Sequence, residues 1–189
     1  MTVDHADHVR LIRQGVAGLA GGTWADLGSG TGAFTLALAD LLGPRGSIIS
    51  VDRDAQALAT QARLMATRFP TVRVRYLRAD FTEELAIEPV DGVVMANALH
   101  FIPDRGAFLP RLMSRIRAGG RLVLVEYDSD RGNPWVPHPL SWDTWHDTAR
   151  SVGLRDTRLI GRVPSRFLGS IYSAISNVGE ASPSGPSRS

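Results

Sequence analysis

Three glycines at alternate positions, Gly28, Gly30 and Gly32, follow a short apolar run and precede a helical one, with Asp26 just ahead of them. A turn of this kind lets backbone N–H groups approach an anionic group at a helix N-terminus, where the macrodipole also favours negative charge. About twenty residues on, Asp52 closes the next apolar run, where a carboxylate can accept hydrogen bonds from both hydroxyls of a ribose. Asp26, Gly28, Gly30, Thr31, Gly32 and Asp52 therefore describe a nucleoside site. The order Gly28-Ser29-Gly30-Thr31-Gly32-Ala33 also satisfies the dinucleotide pattern, so the glycines alone leave the cofactor open.

Groups able to move a proton come later in the chain. His100 follows the fourth apolar run, on the side where a parallel sheet opens toward its ligand, and is the first candidate for a base. His138 lies in a proline-rich stretch and His146 on the helix after it, and both are candidates to face a second substrate. Glu126, Tyr127 and Asp128 end the fifth run, although a strand-end acid near arginines is as often half of a surface ion pair. Trp135, Trp142 and Trp145 cluster within and just after the irregular stretch. With Tyr127 they suit a small apolar or aromatic acceptor, and the competing reading of Trp142 and Trp145, three apart on a helix, is packing against a sheet.

These residues must be positioned by alternating helices and strands. His5 to Leu19 reads as a helix with Val9, Ile12, Val16 and Leu19 on one face. Strands are expected at Thr23 to Leu27, Ser47 to Val51, Val72 to Leu77, Val90 to Ala96 and Arg121 to Tyr127. Helices are expected at Thr31 to Leu42, Asp54 to Phe69 and Asp104 to Ile116, stopped by Gly43-Pro44, Pro70 and Gly119-Gly120. Asp128 to Leu140, with Gly132, Pro134, Pro137 and Pro139, is a loop. A helix follows at Ser141 to Val152, then strands near Arg155 to Ile160 and Arg166 to Ile175, with Gly161 to Ser165 as the turn. The pattern predicts one α/β domain over residues 1–177 and a disordered Ser/Gly/Pro-rich tail over 178–189.

Composition narrows the chemistry. The chain has 189 residues, 43% of them hydrophobic, which is enough for one sizeable core. All 21 basic residues are arginine, so a Walker-type lysine and a Schiff base are excluded, and the absence of cysteine removes thiol catalysis and thiolate metal sites. No metal site is expected. A formal charge of +2 gives no basic run for nucleic acid, no apolar stretch reaches the length of a membrane helix, and the expectation is a cytoplasmic protein.

Beyond the acid and glycines, Asp52-Arg53, Ala79-Asp80-Phe81, the stretch from Asp91 to Pro103 and Arg117-Ala118-Gly119-Gly120-Arg121 stand in order with ordinary spacing. In these segments the chain resembles the class I S-adenosylmethionine-dependent methyltransferases, of the small-molecule, UbiE-like type. The resemblance implies a Rossmann-like doubly wound seven-stranded sheet, mostly parallel with a C-terminal antiparallel hairpin, and S-adenosyl-L-methionine as cofactor. It places Asp52 on the ribose, Arg53 against the adenine, Asp80 and Phe81 around the adenine amine, and Asn97 and Ala98 by the methyl donor.

No Asp/Asn-Pro-Pro-aromatic stretch follows the fourth strand, where Asn97-Ala98-Leu99-His100 stands, so base methylation of nucleic acids loses its signature. The expected acceptor is a small molecule, with oxygen favoured as the accepting atom and the chain a monomer or homodimer. The competing readings are a nicotinamide-dependent oxidoreductase, which would need a substrate domain these segments do not supply, and a methyltransferase-like fold with a binding or non-methylating role.

Overall fold

The computed structural model describes residues 4–179. Its helices are α1 (His5–Val16), α2 (Ala33–Leu42), α3 (Ala55–Arg68), α4 (Arg105–Met113) and α5 (Trp142–Ser151). The strands are β1 (Thr23–Leu27), β2 (Ser47–Asp52), β3 (Arg73–Arg78), β4 (Val90–Ala96), β5 (Ile116–Tyr127), β6 (Arg155–Ser165) and β7 (Gly169–Asn177). They form one seven-stranded sheet in the order β3-β2-β1-β4-β5-β7-β6, parallel except where β7 runs against both β5 and β6. The chain is thus the expected doubly wound α/β fold with a C-terminal hairpin.

Period-two side-chain placement along the buried strands builds two cores from one sheet. Ile49, Val93, Met95, Leu122 and Leu124 face one way and pack with Leu109 and Leu112 of α4 and Trp145 and Ala149 of α5. Ile48, Val94, Val123 and Val125 face the other way, toward Val9 and Ile12 of α1, Leu36 and Leu38 of α2 and Met65 of α3. Side-chain oxygens start the helices. Asp4 and Asp7 form a reciprocal capping box on α1, Asp54 accepts from Gln56 and Ala57 N–H on α3, and Asp104 and Ser141 cap α4 and α5. Among the described residues no helix is long and apolar enough to cross a membrane.

Differences from the sequence reading fall at element ends. Helix α1 stops at Val16 rather than Leu19, and α4 at Met113 rather than Ile116. Strand β5 starts at Ile116, because its first residue pairs with Val90 before a register shift carries the ladder to Gly92 and Arg121. The hairpin turn lies at Arg166 to Leu168, not at Gly161 to Ser165. Gly161 sits inside β6 opposite Ser173, where a Cβ would come 2.8 Å from the Ser173 Oγ and 3.5 Å from Leu11 of α1, so this glycine serves close packing. Val178, expected to open the tail, is buried and exchanges backbone hydrogen bonds with Gly119 and Gly120. The remainder of the expected tail, 180–189, lies outside the described residues.

Trp145 is fully buried among sheet residues and so belongs to the core instead of an acceptor pocket. Trp145→Ala is expected to lower the unfolding free energy by about 3 to 5 kcal/mol, read by urea denaturation; a loss below about 1 kcal/mol would contradict this packing role.

Candidate active site

The strand order reverses between β1 and β4, so the connections leaving their C-terminal ends go to opposite faces of the sheet and leave a crevice there. The glycine turn fills one side of it. Gly28 and Ser29 N–H both donate to the Val51 carbonyl (2.9 and 3.1 Å), and Gly30 N–H donates to Asp52 Oδ2 at 2.7 Å. Gly28 has φ of 74°, and a Cβ there would stand 2.9 Å from the Ala98 Cβ and 3.1 Å from the Phe81 ring. Only glycine fits that approach. Beneath the turn the Ser50 hydroxyl hydrogen-bonds Gln61 Oε1 at 2.6 Å and the Ser29 hydroxyl at 2.8 Å, all three residues being buried.

A cavity of about 290 Å³ opens here, lined by Gly28, Asp52, Arg53, Asp80, Phe81, Asn97 and Ala98 from the expected set. Ala79, Thr82 and Phe101 complete it; Ala79 and Phe101 lie in segments that carry the resemblance without being singled out, and Thr82 was missed, since a threonine after a turn carries no sequence signal of its own. Asp52 Oδ1 accepts from Asp54 N–H at 2.8 Å, which leaves both of its oxygens held at the cavity wall. Asp80 accepts from Thr82 N–H at 2.9 Å, and that bond keeps its carboxyl below the ordinary carboxylate value. Asn97 takes a left-handed backbone (φ 50°), its N–H tied to the Val125 carbonyl at 2.8 Å, while its Oδ1 is buried without a hydrogen-bond partner. Strain and an orphaned acceptor at a strand end mark a position shaped for a ligand.

The other expected cofactor residues act behind this wall. Gly30 and Gly32 shape the turn, Thr31 is exposed, and Asp26 is buried beneath the glycines. Burial raises the Asp26 carboxyl from 3.8 to about 7, against the lowering effect of the Thr35 hydroxyl that donates to its Oδ2 at 2.6 Å, with the Asp52 charge adding to the rise.

The second group lies beyond Phe101. His100, in a 3₁₀ turn over Leu99–Phe101, is 3% exposed, and Glu126 at the end of β5 is fully buried. Glu126 accepts from His100 N–H at 3.1 Å and stands 2.9 Å from His100 Nδ1. A carboxylate accepts only, so against ionised Glu126 the donor is Nδ1, and in a neutral ring of that tautomer Nε2 is the acceptor. The half-buried Arg105 guanidinium lies within the field of Glu126 and Tyr172; desolvation lowers it and the Glu126 charge raises it. Burial and the Glu126 charge push the Tyr172 hydroxyl well above the ordinary tyrosine range.

The His100 side chain thus stands behind Phe101, against Glu126, and does not itself line the cavity. His138 joins this group by its backbone, its N–H donating to the His100 carbonyl at 3.0 Å and its own carbonyl accepting from Arg105, while its ring is exposed. His146 stands on the solvent side of α5 beside Asp147 (3.7 Å) and Trp142, lining neither the cavity nor the His100–Glu126 pair. Tyr127 is 6.2 Å from the His100 ring, and Trp142 is half-buried against Tyr172. Trp135 is 72% exposed. Asp128 is the surface pair that strand-end acids often make, 2.6 Å from Arg162.

A seven-stranded doubly wound sheet with a held carboxylate, a strained asparagine and a glycine turn around a cavity at its switch point defines the class: a Rossmann-like α/β domain. The family described as "Methyltransferase domain" matches residues 25–122, which hold the glycine turn, Asp52, Asp80, Asn97 and His100. The chain belongs to the class I S-adenosylmethionine-dependent methyltransferases, which resolves the double reading of the glycines against the nicotinamide alternative. It is 30% identical to the arsenite methyltransferase of Aquipseudomonas alcaligenes over 159 residues, 74% of this chain and 46% of that protein. The chain spans about half the length of the curated relatives it matches.

By fold, it is similar to the YcgJ protein of Bacillus subtilis, with a TM-score of 0.73 at 13% identity over 94% of this chain and 100% of the other. A Burkholderia thailandensis N1-methyltransferase, solved with 1,6-didemethyltoxoflavin and S-adenosylhomocysteine, gives 0.70 at 18% identity over 92% of this chain and 79% of the other.

Asp26 ties stability to pH. Its folded pKa is raised from 3.8 to about 7, so its protonated form stabilises the fold fully below about pH 4, and that contribution is lost as pH rises through about 7. Asp26→Asn should remove this drift, so wild type should lose stability relative to the variant between about pH 4 and pH 7 in urea unfolding. A difference that stays constant with pH would refute the assignment.

Proposed function

We propose that the chain transfers a methyl group from S-adenosylmethionine to a small-molecule acceptor carrying a removable proton, most simply a hydroxyl. The observation that carries this reading is the buried His100–Glu126 pair set against the cavity through Phe101, whose ring lies 4.3 Å from the His100 ring. The cavity fits the donor on its own evidence: two held Asp52 oxygens, a Gly28 cradle that a Cβ would fill, and a buried Asn97 Oδ1 with no partner.

Asp52 would hold the ribose, Arg53, Asp80 and Phe81 the adenine, and Asn97 with the Gly28 backbone the methionyl amine. Bound there, S-adenosylmethionine supplies a methyl on a sulfonium, a leaving group that needs no protonation. What remains for the chain is alignment and the proton. Glu126 fixes the His100 tautomer and ring orientation, and His100 Nε2 takes the acceptor's proton as the new oxygen–carbon bond forms and the broken carbon–sulfur pair stays on sulfur. An arsenic acceptor such as the name of one relative implies would be soft and thiophilic, and this chain offers no cysteine to hold it.

Calorimetric titration tests the donor half. S-adenosylhomocysteine should bind the wild type in the micromolar range, and Asp52→Ala should weaken it about tenfold or more through loss of a charged hydrogen-bond acceptor. No binding at millimolar concentration would end the proposal. For the proton half, His100→Asn and Glu126→Gln should keep donor affinity within about twofold while lowering turnover of a hydroxyl acceptor about 10²- to 10⁴-fold; unchanged turnover in both would remove the base.

A further inference from the structure

Five large apolar side chains stand exposed among the described residues, and three of them, Phe101 (50%), Trp135 (72%) and Phe167 (46%), gather at one place. The ring centroids form an unbroken row: Phe101 to His100 at 4.3 Å, His100 to Tyr127 at 6.2 Å, Tyr127 to Phe167 at 5.6 Å, and Phe167 to Trp135 at 6.5 Å. One end of the row is the cavity wall, since Phe101 lines it. Three stretches of chain supply these rings: the turn after β4, the end of β5 with the proline-rich loop that continues it, and the tip of the β6–β7 hairpin.

The two outermost aromatics are held stiffly despite their exposure. Trp135 sits at the tip of a closed turn in which Asn133 Oδ1 accepts from the N–H of Trp135 (2.9 Å) and Val136 (3.0 Å), and Val136 is buried as its anchor. Phe167 sits at the hairpin tip, its N–H donating to Ser165 Oγ at 3.2 Å, with Gly169 at φ 81° closing the turn. Rigid, solvent-facing rings lose little entropy when they meet a ligand. The Tyr127–Phe167 and Phe167–Trp135 contacts are edge-on, at 61° and 79°, which leaves ring faces open for a further aromatic partner.

We propose that this row is the acceptor subsite, and that the acceptor is a planar aromatic small molecule presenting a phenolic hydroxyl to His100. This rests on the methyl-transfer reading above. The continuity of the row with the donor cavity and with the base favours a reacting small molecule over a protein partner. A flat ring lying along Phe101, Tyr127 and Phe167 would have its edge beside the His100 ring, which stands between Phe101 and Tyr127 in the row, and Trp135 would flank its outer end. Phe101 and Phe167 thereby become specificity-determining residues alongside Tyr127 and Trp135.

The test compares 2-naphthol with decahydro-2-naphthol, alcohols of the same carbon framework with and without π faces, titrated calorimetrically into the full chain with and without S-adenosylhomocysteine. Far-UV circular dichroism confirms that Phe167→Ala and Trp135→Ala are folded, as expected for exposed turn residues. The naphthol should bind below about 1 mM and at least tenfold tighter than its saturated partner. Each variant should weaken it roughly threefold to tenfold, with S-adenosylhomocysteine affinity unchanged.

Equal affinity for the two alcohols, or variants without effect on the naphthol, would overturn the proposal. So would variants that convert a dimer to a monomer in sedimentation while leaving the naphthol affinity alone, which would make the row an interface between copies of the chain. If S-adenosylhomocysteine itself fails to bind, the methyl-transfer reading falls, and the naphthol titration without it still decides whether the row holds an aromatic ligand.

Discussion

The Val51 carbonyl receives two N–H groups, from Gly28 and from Ser29, and the site depends on that crossing. It fixes the exit of β1 onto the end of β2, so that Gly30 N–H reaches Asp52 and Asp52 is held at the cavity wall rather than free in solvent. The crossing is possible because β1 and β2 are parallel and in register, Leu27 opposite Val51, and because Gly28 can adopt a positive φ with Ala98 and Phe81 pressed against its missing side chain. Ala98 comes from the far side of the switch point. One backbone turn therefore sets the distance between the two walls of the cavity.

Two buried carboxylates sit at the same edge of the sheet, and their surroundings give them different work. Asp26 has only Thr35, by its hydroxyl and its backbone, to offset burial, and its carboxyl is raised to about 7. Glu126 has a backbone N–H and an imidazole N–H as donors and an arginine within its field. A buried acid so provided can orient a neighbouring ring, whereas Asp26 can only brace the turn above it. Removing one member of the Glu126 set would strand the others, because a buried polar network is worth more complete than in parts. That dependence extends to the loop, since the His138 backbone is pinned between His100 and Arg105.

Most of the donor side was legible in the sequence because its information is local. Strand, glycine turn and helix follow one another within a few residues, and Asp52 lies one β-α-β step on, so spacing along the chain stands for spacing in the fold. Glu126 was visible as a strand-end acid, but nothing local distinguished it from Asp128, which pairs with Arg162 at the surface. Period two puts both on the same side, so what separates them is the partner each meets in the fold: His100, 26 residues away on another strand end, stands against Glu126, while Asp128, past the end of β5, meets Arg162.

Gly161 misled for a related reason. A glycine is both a turn former and a space for close packing, and only the presence of α1 over β6 decides which. Phe167 was invisible, and Phe101 stood out only as part of the Asp91 to Pro103 stretch, because an exposed aromatic acquires meaning from its neighbours, and these neighbours come from three separate stretches of chain.

The two halves of the site differ in construction, and the difference follows from what each must recognise. On the proposed reading the donor half uses the glycine turn and carboxylates at the ends of parallel strands, whose positions the β1–β2, β1–β4 and β2–β3 ladders set. The acceptor half uses a loop and a hairpin tip beyond the sheet, whose lengths and side chains can change without disturbing those ladders. Between them stands the stretch from Asn97 to Phe101, which belongs to both: Asn97 and Phe101 line the cavity, and His100 between them reaches Glu126. On the proposed reading a change of acceptor would thus fall on Trp135, Tyr127 and Phe167, whereas a change at Phe101, which lines the cavity and starts the aromatic row, would be felt by donor and acceptor together.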